Sequence, residues 1–306
     1  MILTLTLNPT IDQMVLLEEF RPGDANRILA SRVDPGGKGI NVSRALLELG
    51  CESLAMGFAA GARGRFVEAA LKERGIYTDF LRIPGHTRSN ITIIDQRHNT
   101  TTTLNEPGPI TEPHHLNSLR TRLKKHLSAD DWLVIGGSVP PGLDPGIYHD
   151  IVDMANKLGV HCVLDTEGKP FSEGVKAKPF MVKPNRSEVE RILGHMPKSK
   201  DPILDAAEQI HEMGVEVVVL SQGAQGAVMV TGDGAWRAYP PALAASSTVG
   251  TGDAVVAVDD MNAASLNAVA DGIAGVASDG VRGALVLTSA VTEDATDGLR
   301  MSALFG

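Results

Sequence analysis

Only two cysteines, Cys51 and Cys162, occur in 306 residues, and neither belongs to a C-x-x-C pair. They cannot supply a disulfide framework, and a reducing compartment is the expected setting. Runs of basic residues are short: Lys124-Lys125 and the lysines at 198 and 200 read as solvated faces. With a formal net charge of −9, nonspecific nucleic-acid binding is excluded as a function class. Long apolar runs are lacking too, which leaves no candidate membrane span. The first residues carry no basic stretch and reach Asn8-Pro9 too soon for a signal peptide. A cytoplasmic protein without nucleic-acid or membrane partners is expected. Repeats, low-complexity tracts and linkers are missing as well, so one compact unit over 1–306 is expected.

What the chain does contain is ordinary globular material, 43% hydrophobic and 21% charged. Residues 2–7 alternate apolar residues with threonine, the pattern of a strand with one buried face. A helix is expected over 42–49, opened by the stretch from Pro35 to Asn41 and closed by Gly50. Further strands are expected at 53–58, 132–135, 160–164, 180–182 and 215–220. Helices are expected at 64–74, 113–127, 145–158 and 202–213, with an antiparallel pair at 227–230 and 235–239. This alternation implies right-handed βαβ crossovers and a mainly parallel sheet, whose ligands gather beyond the carboxyl ends of the strands. Polar clusters at 8–12, 136–138, 183–188 and 221–226 each follow a strand directly, which puts four groups on one rim. Two β-rich excursions, 12–33 and 88–105, break the alternation and pack together as a flap. Residues 90–95 and 99–104 read as its hairpin.

The chain centres on Ser246-Ser247-Thr248-Val249-Gly250-Thr251-Gly252-Asp253. Glycines leave backbone N–H groups unshielded, and a helix start attracts anions. Asp253 stands where it can take a proton from an attacking hydroxyl; a Gly-rich turn with an Asp N-cap is the plainer reading. Gly36, Gly37, Lys38 and Gly39 lack the spacing of a P-loop, and Gly250 to Gly252 lack that of a dinucleotide fingerprint. Asn185 and Glu188 read as a capping box or as holders of the water shell of Mg²⁺. Ser221 to Gly226 reads as a turn or as backbone open to a nucleotide. Arg27 and Arg88 lie in the two excursions, and guanidinium forks suit a phosphate dianion. His114-His115 has no further ligand at metal spacing.

Taken in order, six motifs resemble the ribokinase-like, PfkB-type sugar kinases, within them the 1-phosphofructokinase and tagatose-6-phosphate kinase branch. They are Asn8-Pro9-x-x-Asp12, the Pro-Gly-Gly-Lys-Gly-Ile-Asn run from Pro35 to Asn41, Thr87-Arg88, Lys183-Pro184-Asn185-x-x-Glu188, Ser221-x-Gly223-x-x-Gly226, and Ser247 to Asp253. The resemblance implies an α/β fold, a ribokinase-like three-layer sandwich with a mainly parallel central sheet and a small β-sheet lid. It implies ATP as donor and a phosphorylated ketohexose as acceptor. On that pattern Asp253 is the catalytic base, and the N–H groups of Gly250, Thr251 and Gly252 form the anion hole. Asp12, Gly37, Lys38 and Asn41 hold the sugar hydroxyls, Arg27 and Arg88 the sugar phosphate, and Ser138 a further substrate contact. Lys183, Asn185, Ser221, Gly223 and Gly226 belong to the nucleotide site. Glu188 and Asn185 hold Mg²⁺ through water, and K⁺ lies near Ser247 and Val249. A homodimer formed through the lid is implied as well.

Conversion of fructose 1-phosphate to fructose 1,6-bisphosphate is the expected reaction, because residues 39–41 and 247–250 resemble that branch more closely. Tagatose-6-phosphate kinase, or a 6-phosphofructokinase of the same family, is the alternative. A non-catalytic sugar-phosphate-binding homologue is the second. Two features depart from the family pattern. Thr251 stands where Ala or Ser is usual, and the stretch from Ala254 to Asp260, with the tail to Gly306, resembles the family poorly.

Overall fold

In the computed structural model of the chain, residues 1–222 and 225–238 are described. The N-terminal part runs β1 (Ile2–Thr6), β2 (Thr10–Leu17), β3 (Ala30–Gly36), α1 (Lys38–Glu48), β4 (Leu54–Ala60), α2 (Gly61–Glu73) and β5 (Tyr77–Ile83). Next come β6 (Arg88–Asp95), β7 (Thr100–Asn105), α3 (Pro113–His126), β8 (Trp132–Gly136), α4 (Ile147–Lys157) and β9 (His161–Asp165). The described part closes with α5 (Gly168–Val175), β10 (Met181–Val182), α6 (Arg186–Leu193), α7 (Pro202–Glu212), β11 (Val217–Ser221), β12 (Ala227–Thr231) and β13 (Gly234–Ala238).

Nine strands form the main sheet in the order β13-β12-β11-β10-β9-β8-β1-β4-β5. Every neighbouring pair from β11 across to β5 is parallel; β12 and β13 add an antiparallel edge. Parallel strands all end on the same side, so the loops after β1, β8, β9, β10 and β11 share one rim. The polar clusters read from the sequence at 8–12, 136–138 and 183–188 begin there, as does the fourth, with Ser221 and Gln222.

Strand β1 departs from the expected half-buried pattern, since all five of its residues are buried. Leu3 and Leu5 pack into a core shared with Leu119 and Leu123 of α3 and Ile151 of α4. The threonine face is covered by α1: Ile2 packs with Val42 and Leu46, and Thr4 Oγ1 lies 2.7 Å from Ser43 Oγ. The alternation therefore distinguishes two buried faces, one apolar and one hydrogen-bonded, rather than core from solvent. Helices α3 to α7 cover one side of the sheet, and α1 and α2 the other.

The two excursions form a second sheet in the order β3-β2-β6-β7. Strands β2 and β6 are parallel, and each carries an antiparallel partner, β3 and β7. Neither β5 nor α5 is anticipated by pattern. Strand β5 is an edge with mixed burial, and α5 is an eight-residue helix with Pro170 in its first turn, where the missing N–H is harmless. Among the described residues no helix is long and apolar enough to cross a membrane.

Candidate active site

The centre of the rim is a cluster of four charges, three of them buried and the fourth, Lys38, partly exposed. Asp165 ends β9, Lys183 follows β10, Lys38 opens α1 and Glu188 lies in the first turn of α6. Lys38 Nζ donates to Asp165 Oδ1 at 2.8 Å and stands 3.8 Å from Glu188 Oε1. Lys183 Nζ lies 3.7 Å from Asp165 Oδ2. Side-chain exposure is only 4% for Lys183 and 6% for each carboxylate, against 25% for Lys38. Two cations and two anions balance, which is what makes their burial tolerable. Lys38 reaches the cluster because β8 ends in Gly136: a Cβ there would sit 2.8 Å from Gly39 N and from Lys38 Cβ.

Glu188 has two tasks. Its Oε2 accepts from Asn185 N at 2.8 Å while Asn185 Oδ1 accepts from Glu188 N at 2.9 Å, a complete capping box. Its Oε1 faces Lys38. Burial pushes the Glu188 carboxyl above its usual value, opposed by Lys38 and the Asn185 N–H, and Asp165 adds to the rise. A parallel bridge joins Asn185 to Ser221, so the ends of β10 and β11 stay side by side. A cavity of about 400 Å³ opens here, with Glu167, Asn185, Glu188, Ser221, Gln222 and Gln225 among its lining. Gln222 N donates to Gly226 O at 2.8 Å, closing the turn after β11.

On the opposite side of Lys38 the lid supplies a second group. Register pairs Thr10 with Arg88 and Asp12 with Asn90 across β2 and β6. Arg88 Nε donates to Asn8 O at 3.1 Å; among the described residues its two Nη groups donate no hydrogen bond. Burial pulls the Arg88 guanidinium below its ordinary value, and Asp12 opposes that. Asn90 Nδ2 donates to Asp12 Oδ1 at 3.1 Å. Burial also pushes the Asp12 carboxyl above its usual range, against Asn90, the nearby Thr10 hydroxyl and Arg88, with Asp34 adding to the rise. Gly36 leaves room for this carboxylate, since a Cβ there would lie only 1.9 Å from Asp12 Oδ2.

Asn8 binds the two halves together. Its Nδ2 donates to Ser138 Oγ at 3.1 Å and to Pro107 O at 3.0 Å. Ser138 follows a turn in which the Gly137 carbonyl accepts from Tyr148 Oη at 3.0 Å and Thr166 Oγ1 at 2.8 Å. Gly137 itself has a φ of 93°, a conformation that favours glycine.

Of the residues expected from sequence, Asp12, Gly37, Lys38, Asn41, Arg88 and Ser138 line one stretch of rim and lid. Asn185, Glu188 and Ser221 line the cavity, with Lys183 buried beside Asp165 and Gly226 closing the turn after β11. Arg27 is not brought to them: it is exposed on the loop between β2 and β3. Gly223, Ser247, Val249, Gly250, Thr251, Gly252 and Asp253 lie outside the described residues. Sequence reasoning missed Asp165 and Asn90. For Asp165 a signal existed, a carboxylate at the carboxyl end of an expected strand.

A sequence profile of the pfkB family carbohydrate kinases matches residues 5–258. The chain belongs to this family. Among pfkB relatives, a 1-phosphofructokinase of Xanthomonas campestris is 37% identical over 259 residues, 83% of this chain and 81% of that one. A tagatose-6-phosphate kinase of Staphylococcus epidermidis is 33% identical, over 84% of this chain and 83% of that one. In structure, phosphofructokinase-2 from Escherichia coli, solved in complex with substrates and products, superposes with a TM-score of 0.77. It is 28% identical and each chain is covered to 81%. The same enzyme has been solved with potassium and as a tetrameric inhibited form.

Proposed function

We propose that the protein transfers the γ-phosphoryl group of ATP to a ketohexose monophosphate, converting fructose 1-phosphate to fructose 1,6-bisphosphate in the cytoplasm. The observation that carries this is the arrangement of the rim: Asp12 and Arg88 on adjacent lid strands, and the Lys38–Asp165–Lys183–Glu188 cluster beside them. A carboxylate suits hydroxyl groups and a guanidinium suits a phosphate dianion, so the lid side is built for a phosphorylated sugar. Lysines beside a capped helix start suit a polyphosphate. The preference for fructose 1-phosphate rests on the 37% identity to a 1-phosphofructokinase, against 33% for the tagatose-6-phosphate kinase.

In this reading Asp253 takes the proton of the attacking hydroxyl, and the N–H groups of Gly250, Thr251 and Gly252 meet the charge that develops on the moving phosphoryl group. Asp12, Gly37, Lys38, Asn41 and Ser138 hold the sugar, Arg88 its phosphate. Lys183, Asn185, Ser221, Gly223 and Gly226 hold the nucleotide.

The described residues fit a hydrated Mg²⁺. Glu188 Oε2 and Asn185 Oδ1 are both engaged in the capping box, while Glu188 Oε1, 3.8 Å from Lys38 Nζ, is the oxygen that would meet a water shell beside that lysine. Bound Mg²⁺ supplies charge neutralisation on the nucleotide phosphates. Ser247 and Val249 are assigned to K⁺, a reading supported by the potassium complex of the Escherichia coli relative. The chain is read as one kinase domain over 1–306 that pairs with a second copy through the lid. Exposed apolar side chains at Ile28, Leu29, Val33 and Leu104, all in the segments of the lid, support that pairing.

ADP release measured with ATP, Mg²⁺ and a panel of ketohexose phosphates tests the whole reading. Turnover fastest on fructose 1-phosphate is expected. Fastest turnover on tagatose 6-phosphate or fructose 6-phosphate would replace the substrate, and sugar-phosphate binding without ADP release would replace the enzyme by a binding protein.

A further inference from the structure

Asn90 is absent from every motif that the sequence offers, yet the lid places it beside the sugar-side carboxylate. We propose that Asn90 is the positioning residue of Asp12: its amide fixes the direction in which the carboxylate presents its oxygens to the sugar hydroxyls. This rests on the reading of Asp12 as the hydroxyl acceptor.

Three observations carry it. First, Asp12 and Asn90 are direct cross-strand partners in a parallel pair, so both side chains stand on the same face of the lid sheet. Arg88, two residues before Asn90, shares that face. Second, Asn90 Nδ2 donates to Asp12 Oδ1 at 3.1 Å, while Gly36 leaves the space occupied by Oδ2. One oxygen is tied and the other is shaped around. Third, the amide meets the carboxylate at the cost of its own carbonyl. Asn90 Oδ1 is buried and has no hydrogen-bond partner among the described residues. Turning the amide over would set that oxygen against the Asp12 carboxylate, so the orientation follows from charge. An asparagine selected for stability alone would satisfy both ends, because an orphaned buried acceptor is costly.

The environment of Asp12 makes the role measurable. Arg88 of β6 attracts the carboxylate and Asp34 of β3 repels it. Asp34 is in turn paired with Arg32 on its own strand and with Arg74 at the end of α2. Burial already raises the Asp12 pKa, and the Asn90 hydrogen bond is among the forces that hold it down. Removing that donor must shift the ionisation of Asp12 to higher pH.

The test uses the full-length enzyme and fructose 1-phosphate as the probe, with kcat and KM measured from the acid to the neutral range. Asn90→Leu is expected to raise the sugar KM about tenfold with kcat nearly unchanged, because a hydrogen bond to a charged group is lost. The acid limb of kcat/KM should move to higher pH. Asn90→Asp should move it further, since two carboxylates then share the site. In an Asp12→Asn background Asn90→Leu should cost almost nothing more, as expected of a residue that acts through another. An unmoved acid limb, or the same penalty in both backgrounds, overturns the proposal. If Asn90→Leu does not fold, the nearly isosteric Asn90→Asp decides through the acid limb. Asp12→Asn with an unchanged sugar KM would instead overturn the reading of Asp12, and the two failures are told apart by that single variant.

Discussion

Lys38 Nζ and Asp165 Oδ1 meet at 2.8 Å although 127 positions separate them in the chain. The contact ties the first residue of α1, beside the lid, to the end of β9, beside the cavity near Asn185. The lid side and the cavity side of the rim are thus joined by one partly buried ion pair, and several expectations follow from that arrangement.

Lys183 is the more deeply buried of the two cluster lysines, with 4% of its side chain exposed. Lys183→Met removes a cation and leaves Asp165 under-compensated. A loss of about 3 kcal/mol is expected from breaking a buried pair. Urea unfolding monitors it, and the KM for ATP should rise in parallel. Unchanged stability would mean that solvent reaches Asp165 more freely than its burial suggests.

Glu188→Gln separates cap from charge. Glutamine keeps an oxygen for the Asn185 N–H, so the capping box and melting temperature should persist. The half-saturating Mg²⁺ concentration should rise by roughly tenfold if the carboxylate charge orients the water shell. By contrast, Glu188→Ala should also cost about 1 kcal/mol of stability through the cap. Equal Mg²⁺ dependence in the wild type and Glu188→Gln would remove Glu188 from the metal.

Asp12→Asn should weaken sugar binding yet stabilise the protein at neutral pH. Because burial raises the folded pKa of Asp12, its protonated form is the one the fold prefers. Wild-type stability from this group is present below the unfolded value near 4 and is lost as pH rises through the folded value. The melting-temperature gain of Asp12→Asn should therefore grow from acid to neutral pH. A gap that widened toward acid instead would contradict the sign.

Two glycines near the site should respond very differently to alanine. Gly57 has a φ of 154° and a Cβ there would lie 1.9 Å from Thr6 O, a backbone atom of the neighbouring strand β1. Gly57→Ala should cost upwards of about 3 kcal/mol. Gly36→Ala meets side-chain atoms alone, the Asp12 carboxylate and Thr10 Cγ2 at 2.9 Å, so the fold should survive at a smaller cost while the sugar KM rises. Matched thermal melts and kinetics on the two variants check the contrast.

Arg88→Ala should raise KM for the phosphorylated sugar by about a hundredfold, the effect of losing a guanidinium from a dianion, and change KM for ATP little. Steady-state kinetics with both substrates varied provide the measurement, and an unchanged sugar KM would take Arg88 out of the phosphate site.

Much of this was legible in the sequence because the informative signals are local. Gly50 and Gly75 mark helix stops, and the strand–helix rhythm gave the parallel sheet and its rim. The Asn185–Glu188 spacing predicted a capping box, and the structure contains it. What escaped is pairwise. Asp165 looks like any aspartate leaving a strand until Lys38 and Lys183 are seen to converge on it. Asn90 reads as one polar residue of a hairpin, and only the parallel β2–β6 register sets it against Asp12. Strand β1 misled for a related reason: its threonines are buried under α1, where Ser43 answers their hydroxyls.

The parallel pairing of β2 and β6 has a mechanical side. Both strands rise from the main sheet in the same direction, one continuing from β1 and the other from β5. The lid thus stands on two posts instead of swinging from one strap. Asp12 is on one post and Arg88 on the other, and eight consecutive register pairs lock the posts together. Any tilt that carries the carboxylate toward a sugar must carry the guanidinium with it. On the proposed reading of Asp12 and Arg88, hydroxyl recognition and phosphate recognition are geared to a single displacement, so a ketose lacking its phosphate would engage only half of the grip that one displacement brings to bear.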